Sequence, residues 1–272
     1  MRRSDRLVQL SHLLLEHPAT PFTLGQLGKV LGVAKSTISE DLDLVGESLA
    51  GLGLGRLESH PGAAGGVVFR PIKTKAQMQA FATNLCARLR EPHRILTGGF
   101  IYMTDLIFTP EWTAEIGRTF ASRFAQPAPD YVITVETKGI PLALMTARYL
   151  NRPLVVIRRD ARVTEGPSVG INFLSGSTGR IQTMSLPRRA VPPGAKVLLI
   201  DDFMKAGGTA RGMMDLMSEF EARVLGLGVL VETAEPARKL VRDRVALAVL
   251  DGVDEKARRV SIRPAEWVSA VE

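Results

Sequence analysis

The sequence of 272 residues predicts an α/β protein with two domains. Two observations carry this prediction. Residues 1–73 show the pattern of short helices followed by a glycine-rich hairpin, whereas residues 74–272 alternate apolar runs of strand length with helical segments. This alternation is typical of βαβ crossovers, so we expect a mainly parallel sheet in the second domain.

Composition indicates an anionic partner and a reducing compartment. The net charge is +7 and the isoelectric point about 9.8. The single cysteine, Cys86, cannot form an intrachain disulfide, and the four histidines show no metal-ligand spacing, so we predict no metal site. No apolar run approaches the ~20 residues that cross a bilayer. Polar residues interrupt the apolar start of the chain and no cleavage site follows, so we expect a soluble, cytoplasmic protein.

Three helices and a hairpin are predicted in the first domain. Leucines at helical spacing define the first helix, which Pro18 ends. Thr23 and Gln26 form a capping box at the start of a second helix, which ends near Gly32. The third helix has one apolar face, formed by Ile38, Leu42, Val45 and Leu49. Two strands follow around a Pro-Gly-Ala-Ala-Gly-Gly tip, and the whole pattern indicates a winged helix.

Two helices joined by a tight turn are typical of a helix-turn-helix, which lays the start of its second helix in the major groove of DNA. We therefore predict a set of DNA-contacting residues that are short and polar or basic. They are Arg2 and Arg3 near the entry of the chain, Lys35, Ser36, Thr37 and Ser39 in the third helix, and Arg56 in the hairpin. Arg6 is a further candidate for a phosphate contact. A helical interaction module without a nucleic-acid role is the alternative.

The positive charge is distributed unevenly. Residues 1–73 hold eight Lys and Arg against seven Asp and Glu, so the predicted DNA-binding domain has a net charge of only +1. Residues 148–189 hold eight arginines against two acids. Such a run is either a solvated surface, an anion site or an extended path for DNA.

The stretch "IDDFMKAGGTARGM" predicts a ligand site at the end of a strand. Asp201 and Asp202 follow the apolar run "VLLI", and a glycine-rich turn leads into a helix. Glycines allow backbone amides to approach an anion at a helix start, and exposed paired carboxylates suit the hydroxyls of a diol. The combination indicates a ribose 5-phosphate unit. An ordinary strand–turn–helix connection is the alternative.

This stretch closely resembles the motif of type I phosphoribosyltransferases that binds phosphoribosyl pyrophosphate (PRPP). The segment "TVETKGIPLA" resembles the pyrophosphate loop of that family, and "RRD" follows a third strand. The resemblance implies a set of PRPP-binding residues at these strand ends. They are Thr137, Lys138, Gly139, Arg158, Asp201, Asp202, Phe203, Lys205, Ala206, Gly207, Gly208 and Thr209. It also implies magnesium, bound mainly through the oxygens of the ligand and through water.

Four motifs together resemble the Gram-positive-type purine operon repressors over nearly the whole chain. They are "IYMTDLI", which contains Tyr102, "VETKGIPLA", "RVTEGPSVGINFLSGSTGRIQTMSL" and "IDDFMKAGGTARGM". The resemblance implies a homodimeric DNA-binding repressor of purine biosynthesis genes. It further implies that PRPP acts as an effector that weakens DNA binding, that Tyr102 belongs to its site, and that no residue is catalytic.

Two features of the sequence favour a sensor over an enzyme. Lys205 and Ala206 stand where active transferases commonly carry Ala and Thr, so a hydroxyl that would help hold the 5-phosphate is missing. Residues 163–186 occupy the position of a catalytic lid, yet their alternating apolar residues predict an ordered hairpin. An active purine phosphoribosyltransferase with an appended winged helix is the first alternative. An RNA-binding attenuation regulator with transferase activity is the second.

Overall fold

The computed structural model describes residues 1–60, 66–160, 166–174 and 180–269. The chain divides into two compact units, Met1–Thr74 with Arg148–Asn151, and Lys75–Ala147 with Arg152–Glu272. Each unit has a hydrophobic core of its own. Within the described ranges, no helix combines the length and the apolar character that a membrane span requires.

The first unit contains three helices and a small antiparallel sheet. Its elements are α1 (Arg3–Glu16), β1 (Pro21–Phe22), α2 (Leu24–Leu31), α3 (Lys35–Gly51), β2 (Arg56–His60) and β3 (Gly66–Arg70). The strand order is β1-β3-β2. The predicted three helices and hairpin are confirmed, whereas β1 was not predicted because two residues are too few to show a strand period. The hairpin tip, residues 61–65, lies outside the described residues.

Local signals define the helices of this unit as the sequence predicts. Gln26 N donates to Thr23 Oγ1 at 3.1 Å, and Thr23 N donates to Gln26 Oε1 at 2.8 Å, which completes the capping box of α2. Gly32 ends α2 with φ +67°, a left-handed conformation that glycine adopts without strain. The predicted apolar face of α3 is confirmed, because all four of its residues are buried in the core against α1 and α2.

The second unit is built on a six-stranded sheet of order β13-β12-β11-β10-β6-β7, in which only the β12–β13 pair is antiparallel. The strands of this sheet are β6 (Tyr131–Val135), β7 (Leu154–Ile157), β10 (Lys196–Met204), β11 (Arg223–Thr233), β12 (Arg244–Asp254) and β13 (Arg259–Pro264). The helices are α4 (Lys75–Leu89), α5 (Thr104–Phe108), α6 (Pro110–Arg123), α7 (Gly139–Leu150), α8 (Gly208–Glu219) and α9 (Glu266–Ser269). The predicted mainly parallel sheet is confirmed.

Two further strand pairs lie outside the central sheet. They are β4 (Ile95–Leu96) with β5 (Phe100–Ile101), and β8 (Ser168–Leu174) with β9 (Ile181–Pro187). The second pair is the hairpin predicted for the lid position, and Phe173 and Met184 bury it against Gly212 of α8. Residues 161–165 and 175–179, which flank and connect these strands, lie outside the described residues.

Candidate functional site

The parallel sheet brings three of the predicted ligand-binding segments to one edge. β10 lies between β6 and β11, and β6 lies between β10 and β7. Because the carboxyl ends of parallel strands meet at the same edge, the segments after β6, after β7 and at the end of β10 are neighbours. Thr137 to Gly139, Arg158 and the segment from Asp201, in the last part of β10, to Thr209, in the first turn of α8, therefore lie along one edge of the second unit.

The loop after β6 is packed tightly against β10. A Cβ added at Gly139 would overlap Thr134 Oγ1 and would lie 3.4 Å from Ile200 O and 3.5 Å from Asp201 Cα. Thr134 is completely buried. Only glycine therefore allows α7 to begin this close to the end of β10. Thr137 and Lys138, just before α7, are exposed, and the Glu136–Thr137 peptide bond is cis.

The turn after β10 presents the start of a helix. Gly207 caps α8 with φ +89° and ψ 19°, a left-handed conformation that any other residue would adopt only with strain. Its carbonyl oxygen accepts from Arg211 N at 2.8 Å, and Leu240 N donates to Ala206 O at 2.9 Å. The first amides of a helix have no acceptor within the helix, so the start of α8 offers N–H donors to an anion. Lys205 beside it is exposed.

The acid pair differs from the expectation in one respect. Asp202 is half-buried, but Asp201 is 5% exposed, so the two carboxylates are not both open to a ligand. Neighbouring residues of a strand point to opposite faces, which separates their environments. Asp202 N donates to Asp201 Oδ1 at 2.9 Å. Burial raises the pKa of Asp201 well above its ordinary value, and the charge of Asp202 raises it further. Asp202 is therefore the carboxylate available for hydroxyls.

Glu136 is a residue of this edge that the sequence analysis did not select. Its carboxylate accepts from Arg159 N at 2.7 Å and from Arg158 Nη1 at 3.4 Å, which joins the end of β6 to the end of β7. Arg158 also exchanges backbone hydrogen bonds with Ser185 of β9, at 3.0 and 2.8 Å. The Arg158 side chain is 32% exposed, and its guanidinium is ion-paired with Glu136. The signal for Glu136 was available, because an acid directly follows the apolar run "YVITV".

The structure does not connect Tyr102 with this edge. Tyr102 lies between β5 and α5, is 42% exposed, and its backbone N donates to Arg94 O at 2.7 Å. Buried Arg94 in turn forms a bidentate ion pair with Asp105, at 2.7 and 2.9 Å. Among the hydrogen bonds and ring contacts of the described residues, none links Tyr102 to the strand ends. Phe203, by contrast, is half-buried within β10 beside the acid pair.

A cavity of about 360 Å³ lies at the opposite side of the same sheet, where the parallel strands begin. It is lined by residues at the starts of β10, β11 and β12, including Leu198, Gly226 and Val245, and by the end of α6. None of the predicted ligand-binding residues lines it. In the ranges that the structure describes, no three His, Cys, Asp or Glu side chains come together as ligands for a metal ion.

The predicted DNA-contacting residues of the first unit lie at its surface. Lys35 begins α3, and Ser36 and Ser39 are exposed while Thr37 is half-buried. Arg2 and Arg3 are exposed at the start of α1, and the Arg56 side chain is 63% exposed at the root of the hairpin. Arg6 is an exception among the arginines considered. Its side chain is 12% exposed because it turns inward to Asp41, so it supports the fold of the unit.

Two carboxylates in this unit each bridge two arginines. Asp41 on α3 is buried and accepts from Arg6 Nε at 2.8 Å and Arg3 Nε at 3.2 Å. The Arg6 guanidinium, aided by Arg3, holds the pKa of Asp41 below its ordinary value against the opposing effect of burial.

Glu58 on β2 accepts from Arg56 Nη2 at 2.8 Å and Arg70 Nε at 3.0 Å. Burial by itself would raise the pKa of Glu58, but the two arginines outweigh it and lower that pKa. In each of these two clusters, one arginine is exposed and the other is more buried. The two arginines and the carboxylate together have a net charge of +1.

Comparison with known protein families assigns both parts of the chain. The family described as "Bacterial purine repressor, N-terminal" matches residues 2–71. The family described as "Phosphoribosyl transferase domain" matches residues 105–261. The first match falls in the first unit and the second covers the strands and loops of the candidate ligand edge.

Individual proteins are similar over nearly the whole chain. The purine biosynthesis transcriptional repressor PurR of Bacillus subtilis strain 168 is 46% identical over 262 residues, 96% of this chain and 92% of that protein. The purine biosynthesis transcriptional activator PurR of Lactococcus lactis subsp. lactis strain IL1403 is 37% identical over 263 residues, 97% of each chain.

Among solved structures, an adenine phosphoribosyltransferase from Saccharomyces cerevisiae has a TM-score of 0.54 at 20% identity. The similarity covers 61% of this chain and 98% of that one. At this identity the similarity concerns the fold alone. It agrees with a mainly parallel sheet whose strand ends carry the candidate site.

Proposed function

This chain belongs to the Gram-positive-type purine operon repressors, a family of purine biosynthesis transcriptional regulators, and from that membership we propose how it acts. Its first unit binds double-stranded operator DNA, and PRPP bound at the strand ends of the second unit lowers the affinity for that DNA. The protein acts as a homodimer in the cytoplasm. The observation that carries the proposal is the 46% identity to a purine biosynthesis repressor across both units.

The direction of regulation is part of the proposal, because relatives are named both repressor and activator. The more similar of the two is the repressor, at 46% against 37% identity, which favours repression. Transcription in vitro from a purine biosynthesis promoter, with and without this protein, distinguishes the two. A higher transcript level with the protein would contradict repression.

Each part of the strand-end site suits one part of PRPP. The helix start at Gly208 and Thr209 would hold the 5-phosphate through backbone amides, with Lys205 nearby as a positive charge. The half-buried carboxylate of Asp202 would accept hydrogen bonds from the ribose hydroxyls. The exposed loop at Thr137 and Lys138 would hold the diphosphate.

The oxygen atoms of this site are suitable ligands for magnesium. Asp202 offers carboxylate oxygens at the edge of the site, and magnesium is commonly held by one or two carboxylates together with phosphate oxygens and water. The ion would offset the negative charge of the diphosphate. Asp201 is buried, so its role would be to hold the turn through the Asp202 amide and not to contact the ion.

The site is proposed as a sensor and not as a catalytic centre. Ala206 has no hydroxyl to hold the 5-phosphate, and its carbonyl is used by Leu240 N within the protein. The second candidate function is an active purine phosphoribosyltransferase, which the match of residues 105–261 to that family favours. Incubation with PRPP, magnesium and a panel of nucleobases tests it, because diphosphate release with any base would establish the transferase.

The proposal as a whole is tested by DNA binding in the presence of PRPP. We expect a duplex from a purine biosynthesis promoter to be shifted in a gel and to be released by PRPP with magnesium. Asp202→Ala should leave DNA binding intact and lower PRPP affinity roughly ten- to hundred-fold, because one charge-assisted hydrogen bond contributes about 1.5–3 kcal/mol.

Asp215→Ala on α8 is the matched control. The Asp215 side chain is 47% exposed and pairs with Arg211 on the same helix, so this variant should respond to PRPP as the wild type does. An Asp202→Ala protein that is released at the wild-type PRPP concentration would contradict the assignment of Asp202. A wild-type protein that PRPP does not release would contradict the effector proposal.

A further inference from the structure

We propose that Asp41 is a positioning residue for DNA binding, which aims the Arg3 guanidinium at the DNA backbone beside the predicted recognition helix α3. The inference rests on the proposed binding of DNA by the first unit. Asp41 is a buried acid on α3, the helix that would enter the major groove of DNA. An acid on such a helix is not expected to favour DNA binding, because it repels the phosphates.

The contacts divide the two arginines into an inner and an outer partner. Arg6 donates to Asp41 from both Nε, at 2.8 Å, and Nη2, at 3.4 Å, and its side chain is 12% exposed. Arg3 donates only from Nε, at 3.2 Å, and its side chain is 56% exposed. The Asp41 side chain is 1% exposed. Arg6 therefore offsets the buried charge, while Arg3 is held at the surface.

The single Nε contact leaves the outward end of Arg3 available. A guanidinium carries five N–H donors, four of them on the two Nη atoms, arranged as a planar fork that matches a phosphate. In the part of the chain that the structure describes, Arg3 contacts an acidic group only through Nε. The bond to Asp41 restricts the rotation of this long side chain before DNA arrives. The conformational entropy cost of binding is then smaller than for an unrestrained arginine.

The position of Asp41 along α3 places Arg3 near the predicted contacts. Thr37 lies four residues before Asp41, so the two share a face of the helix one turn apart. At 1.5 Å per residue, Asp41 is about 9 Å along the axis from Lys35, where α3 begins. Arg3 is thus held beside the first turns of the helix that would meet DNA.

Removal of the Asp41 charge should change DNA affinity in the direction opposite to the one that charge alone predicts. Removing an acid near DNA ordinarily strengthens binding, because one repulsion of the phosphates disappears. If Asp41 positions Arg3, its removal instead releases an oriented phosphate-binding group and weakens binding. The bridge of Arg3, Asp41 and Arg6 has a net charge of +1, so Asp41 does not make the local surface negative.

Asp41→Asn is the direct test, because asparagine keeps the shape of the side chain and removes the charge. We expect its affinity for a fluorescent duplex from a purine biosynthesis promoter to fall about two- to ten-fold, which is the cost of ordering one unrestrained long side chain on binding. The slope of log K against log salt should fall by about 0.9 for each phosphate that the variant no longer neutralises. Equal or tighter binding by Asp41→Asn would overturn the proposal.

Asp43→Asn is the matched control, the same change two residues further along α3. Asp43 is exposed, and in the described ranges no ion pair is formed by it. Its replacement should leave the affinity unchanged or slightly raised. A decrease for Asp43→Asn as large as that for Asp41→Asn would overturn the proposal, because the effect would then belong to the helix and not to the bridge.

Arg3→Lys keeps the test decisive if Asp41→Asn does not fold, which circular dichroism would reveal. Lysine keeps the charge, but its single ammonium cannot bond Asp41 and also present a fork. We expect the affinity of Arg3→Lys to fall nearly as far as that of Arg3→Ala. Wild-type binding by Arg3→Lys would overturn the proposal.

The double variant Asp41→Asn with Arg3→Ala separates positioning from a general structural role. If Asp41 acts through Arg3, the double variant binds no more weakly than Arg3→Ala. Independent, multiplied decreases in affinity would show that Asp41 acts elsewhere. If the wild type binds neither the promoter duplex nor a shuffled duplex, the proposed function fails and not this inference alone. If the wild type binds and the variants match it, only the positioning of Arg3 fails.

Discussion

Replacing Gly139 by alanine should disrupt the edge at which the proposed PRPP site lies. The added Cβ would overlap the hydroxyl oxygen of Thr134, which is completely buried and has little room to move. The next nearest atoms, Ile200 O and Asp201 Cα, are at 3.4 and 3.5 Å and are tolerable neighbours. The conflict is therefore concentrated on one oxygen atom.

The size of the effect follows from overpacking. An extra carbon in a well-packed interior costs about 1–3 kcal/mol. With a urea dependence of about 2 kcal/mol/M, the unfolding midpoint should fall by roughly 0.5–1.5 M. Both tryptophans of the chain, Trp112 and Trp267, belong to the second unit, so their fluorescence reports on the unit that is perturbed. PRPP affinity should fall too, because Thr137 and Lys138 precede Gly139.

A compensating change makes the prediction specific. Thr134→Ala removes the overlapping oxygen, so the double variant Gly139→Ala with Thr134→Ala should recover most of the decrease in the midpoint. Gly252→Ala is the control, because its Cβ would meet no atom within 4 Å. The reasoning is refuted if Gly139→Ala unfolds at the wild-type urea concentration, or if the double variant is no more stable than Gly139→Ala alone.

Three further predictions concern charge. Burial, and then the charge of Asp202, raises the pKa of Asp201 in the folded protein. The stability that the protonated Asp201 carboxyl contributes is therefore fully present below the ordinary pKa of 3.8, and it is lost as the pH rises through the raised pKa of the folded protein. Asp201→Asn should remove this pH dependence and raise the free energy of unfolding at neutral pH by about 0.5–2 kcal/mol. If urea unfolding of this variant depends on pH as that of the wild type does, the prediction is wrong. Lys35→Ala should weaken promoter binding and leave PRPP affinity unchanged in the DNA-free protein; unaltered DNA affinity at every salt concentration would mean that the start of α3 does not contact DNA. The paired reversal Arg158→Glu with Arg159→Glu should lower both PRPP affinity and the salt slope of DNA binding, whereas an unchanged slope with full PRPP affinity would make these arginines solvated surface only.

Short-range patterns were sufficient to predict most of the elements. The capping box of α2 involves two residues three apart, and Gly32 acts on its own neighbours, so both were predictable without any tertiary information. The apolar face of α3 was equally local. The βαβ alternation predicted the parallel sheet, since crossover helices place consecutive strands in one direction. The two-residue strand β1 has no such signal and was missed, and the antiparallel strand β13 was missed although its apolar residues, Val260 and Ile262, alternate with polar ones.

Burial of polar groups was the main property that these patterns did not predict. Asp201 and Asp202 are adjacent in the chain, yet one is buried and the other half-buried, because the two side chains point to opposite faces of the sheet, which are covered unequally. The sequence places Arg6 in a basic, polar start of the chain, but its side chain turns inward to Asp41, 35 residues away.

Helix caps, glycine turns and apolar periods act over a few residues, so most of the segments that form the two folds were predictable from the sequence alone. The strand ends proposed to bind PRPP were likewise selected from local motifs. In contrast, the pairing of charges that are far apart in the chain depends on how separate elements pack in the folded protein. Asp41 with Arg3 and Arg6, and Glu136 with Arg158, are brought together by packing of separate elements. The strength of such a pair depends on distance and burial, and neither quantity is encoded in the spacing of residues along the chain.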